Sequence, residues 1–114
     1  MAEIIPLPND RAVEMKPIHV TSQLQSFPER FAFRFEWNHI QEKWVMEIEH
    51  QTINERVTKG FATPYMPHWY GPFVMFSLID PSGQQKEVTP NNLGDDIKLF
   101  AFPGPGGQEN GGDN

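Results

Sequence analysis

The sequence predicts an all-β domain, a small antiparallel barrel or sandwich of six to seven short strands. Three observations carry that prediction. In FAFRFEW, residues 31–37, an aromatic stands at every second position, which is the period of a strand with one buried face. WVMEIEH, residues 44–50, alternates in the same way beyond a short polar link, NHIQEK, and two such segments read as antiparallel neighbours. Eleven prolines and nine glycines in 114 residues interrupt the chain too often for long helices.

Taken in order, residues 1–12 are expected to form an extended N-terminal arm. Pro6 and Pro8 fix their own φ and push Ile5 and Leu7 toward β or polyproline geometry. Ile4, Ile5 and Leu7 are too apolar for a solvated tail, so they either fold back as an edge strand or dock on a neighbouring chain. A single β domain is placed at residues 13–102, beginning with a strand around Ile18 to Leu24. The hairpin follows. Phe31, Phe33, Phe35 and Trp37 share one face, matched on the second strand by Trp44, Met46 and Ile48, and together these seven residues are the predicted core. Asn38 begins the turn between them.

A short strand is expected near Arg56 to Thr58, ending at Gly60. TPYMPHWYGPF, residues 63–73, holds three prolines and cannot be helical. FVMFSLID, residues 73–80, is a nearly continuous apolar run and reads as a buried strand. DPSG then fits a type I turn position by position. QQKEV is expected to return as a partner strand, TPNNLGDD to form a loop, and IKLFAF to give a last strand from Ile97 to Phe102. Residues 103–114, PGPGGQENGGDN, carry no apolar side chain beyond proline, so they are expected to be a disordered tail.

Composition narrows the function. A formal charge of −6 argues against specific nucleic-acid binding, which needs a basic face, although it suits a wall past which DNA slides. The absence of cysteine leaves no disulfide or thiolate site. No apolar run approaches the roughly 20 residues that span a bilayer, and MAEIIPLPND has no basic segment ahead of an apolar core as a secretory signal would. No membrane association is expected. His19, His39, His50 and His68 show no metal-ligand spacing, and neither metal nor cofactor is expected.

Catalytic patterns fare no better. Glu47 and Glu49 share a strand face roughly 7 Å apart, near the spacing of an inverting glycosidase pair. Those carboxyls, however, must oppose each other across a cleft rather than lie side by side. Asp95 and Asp96 read as loop charges. No serine has a nucleophile elbow, and no glycine-rich turn joins a strand to a helix. The chain is not expected to be an enzyme.

Residues 65–73, YMPHWYGPF, resist a bland account. Tyr65, Trp69 and Tyr70 could close an open end of the core, anchor a protein interface, where Trp and Tyr are enriched, or stack on sugar rings. The last use would make the chain a carbohydrate- or receptor-binding module.

Three stretches together carry a resemblance. IIPLPND, FRFEWN followed shortly by WVMEIE, and NNLGDDIKLFAF resemble the small baseplate plug proteins of contractile-tailed bacteriophages. The matching residues are Ile5 to Leu7, Phe35 to Asn38, Trp44 to Ile48 and Leu93 to Phe100, so the likeness runs over residues 4–102. HQTINE departs from the acidic, glycine-containing turn of that family, and residues 11–30 are less regular. The resemblance implies a structural virion protein at the tail baseplate, made in the host bacterial cytoplasm. It also implies a ring of copies and other tail proteins (hub, spike, tube, tape measure) as partners. Under it, Ile4, Ile5, Leu7, Tyr65, Trp69 and Tyr70 are the expected partner-binding residues.

Overall fold

The computed structural model describes residues 2–25, 27–84 and 87–105. Its elements are β1 (Glu3–Ile5), α1 (Asn9–Val13), β2 (Ile18–Gln23), β3 (Arg30–Asn38), β4 (Lys43–His50), β5 (Glu55–Phe61), β6 (His68–Tyr70), β7 (Val74–Ile79) and β8 (Lys98–Pro103). They form two four-stranded antiparallel sheets. The meander sheet runs β2-β3-β4-β5, and the terminal sheet runs β1-β8-β7-β6. The sheets stay open and pack as a sandwich rather than closing into a barrel. Two of the eight strands, β1 and β6, are only three residues long.

The central hairpin follows from its alternation. Phe33 lies opposite Ile48, Phe35 opposite Met46, and Trp37 opposite Trp44. All of these are buried except Trp37, which is partly covered and meets Trp44 edge-on at 5.4 Å. Asn38 makes the turn by local bonding. Its Oδ1 accepts from the backbone N–H of Ile40 and of Gln41, each at 3.0 Å, an arrangement Asn favours.

From the terminal sheet, Ile5, Val74, Phe76, Leu78, Leu99 and Ala101 face inward and are buried. Phe76 contacts Phe31 and Phe33 edge-on at 5.1 and 5.3 Å, so the aromatic face of β3 interdigitates with the opposite sheet. Edge-to-face rings of this kind contribute about 0.5–1.5 kcal/mol beyond their area.

The expected extended arm is corrected in part. Ile5 pairs with Leu99 and Leu7 is buried, while residues 9–13 are helical. Pro8 caps that helix: its carbonyl accepts from Arg11 and Ala12 at 3.1 and 3.2 Å. A proline just ahead of a first turn is as much a helix-start signal as an extended one. Asn9 then ties the segment down, donating Nδ2 to the carbonyls of Leu93 and Asn91 at 3.0 and 3.1 Å.

The DPSG turn forms with Gly83 N–H bonded to Asp80 O at 2.9 Å. The strand expected at QQKEV does not follow it. Residues 84, 87 and 88 are not strand, and 85–86 lie outside the described residues. β7 instead pairs with β6 and β8, so both its edges are taken. The chain loops over one end of the core, burying Val88 and Leu93. Asn92 organises this loop, accepting from Thr89 N–H at 2.7 Å and donating to Glu87 O at 2.8 Å. Residues 106–114, most of the expected disordered tail, also lie outside the described residues.

Candidate assembly face

Alternation along the terminal sheet sends one set of residues inward and leaves another facing out. The outward set is Ile4 on β1, Lys98, Phe100 and Phe102 on β8, Met75 and Ile79 on β7, and Trp69 on β6; Ser77 of β7 has the same parity but is 3% exposed. Register aligns them into rows. Trp69 pairs with Met75 and Met75 with Phe102; Ser77 pairs with Phe100 and Phe100 with Ile4. Directly opposed side chains in such rows sit about 4.5–5.5 Å apart at Cβ, so the apolar surface is continuous across four strands. Phe100 and Phe102 stack at 6.0 Å. Trp69 and Ile4, at the two edges, are 51% and 52% exposed. The solvent face of an antiparallel sheet ordinarily carries polar side chains. Lys98 is the one charge here.

The meander sheet shows the ordinary pattern. Its outer face carries Arg34, which pairs with Glu49 at 3.2 Å and reaches Glu47 at 3.9 Å, while Arg56 bonds Glu47 at 3.2 Å. Both glutamates are thus held by arginines, and the recess on this face, lined by Arg34, Glu36, Glu47 and Lys59, does not include Glu49, so the pair does not oppose each other across it. The contrast between a charged and an apolar outer face is the main asymmetry of the molecule.

The aromatic loop divides its three residues among different tasks. Tyr65 sits at φ 63°, a conformation uncommon for a bulky side chain. It is held there by its N–H on Leu78 O and its hydroxyl on Asp80 O, both at 2.7 Å. Tyr70 turns inward beside Phe27, Phe31 and Phe73. Its hydroxyl lies 2.8 Å from Nδ1 of buried His50, whose Nε2 lies 3.1 Å from Glu29 Oε1. Because a carboxylate only accepts, Nε2–H donates to Glu29, and in the neutral ring Nδ1 accepts from Tyr70. This chain of bonds joins the two sheets across the core. Burial pushes the Tyr70 hydroxyl above its ordinary pKa, with Glu55 and Glu29 adding to the effect. Trp69 stands on the outer face of β6, opposite Met75.

The N-terminal residues divide likewise: Ile5 and Leu7 are buried in this chain, and Ile4 lies on the apolar outer face. A recess lined by Ile4, Ile5, Pro6, Leu7, Gly94 and Lys98 borders that face. Among the described residues, no cluster of His, Asp and Glu is placed to hold a metal ion, and no helix is long and apolar enough to cross a membrane.

Met75, Phe100 and Phe102 escaped the sequence reading as surface residues. The signal was present: FVMFSLID and KLFAF are apolar at odd and even positions alike, which marks a strand covered on both faces. Among the described residues the inner face of these strands is covered, and on the outer face Ser77 is buried too, while Met75, Phe100 and Phe102 stay partly exposed.

Comparison with curated proteins and with solved structures gave no match. A protein family described as "Cyanophage baseplate Pam3 plug gp18" matches residues 3–104. That span takes in both sheets, the helix and the loop over the core, and supports a structural role in a phage baseplate. By this match the chain belongs to the cyanophage baseplate plug family.

Proposed function

We propose that this chain is a structural virion protein of a contractile phage tail, a plug that braces or seals the central baseplate hub, with no catalytic role. The observation that carries the reading is the family match over nearly all of both sheets. The apolar outer face supports it, because large exposed apolar patches mark interaction surfaces. The charge of −6 suits a position beside the passage of DNA, where an acidic wall does not hold the phosphate backbone.

A sugar-binding or receptor-binding module has one observation in its favour, the exposed Trp69. Its neighbours in register are Met75 and, beyond it, Phe102, which offer no polar side chains to fix hydroxyl groups.

A phage lacking this gene tests the proposal. Expected are particles without a sealed baseplate centre, with infectivity restored by the wild-type chain. Trp69→Ala should melt at the wild-type temperature yet fail to restore infectivity. Normal baseplates and normal infectivity in the deletion would overturn the proposal, whereas Trp quenching on titration with cell-wall glycans would favour the module.

A further inference from the structure

We propose that the outward face of β1, β8, β7 and β6 docks on an apolar surface of another baseplate protein that presents a carboxylate to Lys98. This rests on the baseplate reading and adds to it the face used and the chemistry of the partner.

The surface is apolar across all four strands, through Trp69, Met75, Phe102, Phe100 and Ile4. Lys98, opposite Ile79 at one end of the rows, has no ion-pair partner among the described residues, and it also lines the recess beside Ile4. Among the described residues no acid shares the face. Glu3, on the same strand as Ile4, is turned the other way and accepts from Gln25 N–H at 2.9 Å. The net charge of the chain is −6, yet this patch is neutral to positive, so an acid-bearing partner meets no repulsion from it.

Two nearer occupants fit less well. Residues 106–114, GGQENGGDN, contain no apolar side chain to set against the exposed rings. A second copy stacked through the same face would bring a second Lys98 and no carboxylate, leaving two cations without partners in a drying interface. A different chain with an apolar surface and one placed acid satisfies both halves of the pattern. Its carboxylate would reach the lysine from the recess lined by Ile4, Pro6 and Gly94.

The experiment is co-sedimentation of the purified full-length chain with tail particles assembled by a phage lacking this gene. Ile4→Glu and Trp69→Glu alter half-exposed edge positions and should keep the wild-type melting temperature. Each is expected to weaken binding at least about tenfold, as hot-spot losses do. Lys98→Glu should weaken binding by a similar factor, and Lys98→Met by less. Lys59→Glu, exposed on the opposite sheet, should bind within about twofold of wild type, as changes outside an interface do.

Full binding by the three glutamate variants on the apolar face, or equal loss by Lys59→Glu, would overturn the docking proposal and leave the baseplate reading standing. A concentration-dependent dimer of the wild type that Ile4→Glu abolishes would assign the face to a second copy and overturn it too. Failure of the wild-type chain to bind tails would remove the baseplate reading itself.

Discussion

Tyr70, His50 and Glu29 show how one residue position can decide whether a buried polar group is an asset or a defect. His50 is 3% exposed, stacks on Phe31 at 4.8 Å, and has both ring nitrogens bonded. Tyr70→Phe would remove one partner and leave Nδ1 facing rings that cannot donate. An unsatisfied buried acceptor costs about 1–3 kcal/mol. For a domain of this size that is a fall of roughly 4–8 °C in Tm per kcal/mol. Thermal unfolding of Tyr70→Phe is the measurement, and an unchanged Tm would mean that water replaces the hydroxyl. His50→Phe should cost less than Tyr70→Phe. It removes the buried ring nitrogens altogether, and the groups left behind, the Tyr70 hydroxyl and the Glu29 carboxylate, are both partly exposed and can rehydrate.

The three-residue strand β1 separates two neighbours that the sequence cannot tell apart. Ile4 and Ile5 are chemically identical, but Ile5 pairs with Leu99 on the core face and Ile4 with Phe100 on the outer face. Ile5→Ala is expected to cost about 2–5 kcal/mol through transfer and cavity terms, while Ile4→Ala should stay within about 0.5 kcal/mol. Chemical denaturation of the two variants checks this, and equal losses would mean that the register is wrong. Deleting residues 1–8 therefore confounds docking with folding, since it removes Ile5 and Leu7 from the core.

The same element marks the limit of what the sequence revealed. The hairpin of β3 and β4 was legible because strict alternation and a polar turn agree. β8 was legible as a strand, but its partner was not. Pairing of β1 with β8 joins opposite ends of the chain, and no local pattern encodes a contact of that separation. β6 was missed because prolines at 67 and 72 leave room for only three paired residues. At the candidate site, Trp69 and Ile4 were named but not as one surface. Their companions Met75, Phe100 and Phe102 lie in segments read only as strands, because a run that is apolar at odd and even positions alike does not say which face the chain covers.

At the scale of the whole molecule, an open sandwich with one charged and one apolar outer face has a stability that depends on what its edges bury. His68 shows the consequence for pH. It faces inward on edge strand β6, opposite Phe76, and its Nε2 is buried without a hydrogen-bond partner among the described residues. Burial holds its pKa below the ordinary 6.5. The unfolded chain therefore binds a proton at a pH where the folded chain does not, so stability rises with pH across that interval and falls on acidification. The loss begins as pH drops through about 6.5, where the unfolded histidine protonates, and levels off below the folded value. Melting curves from pH 7.5 to 5 should show a falling Tm, and His68→Phe should flatten that slope while leaving the neutral-pH Tm equal or higher. An unchanged slope in His68→Phe would show that β6 is loose enough for the imidazole to reach water. The edge carrying Trp69 would then be ordered only when the outer face is covered.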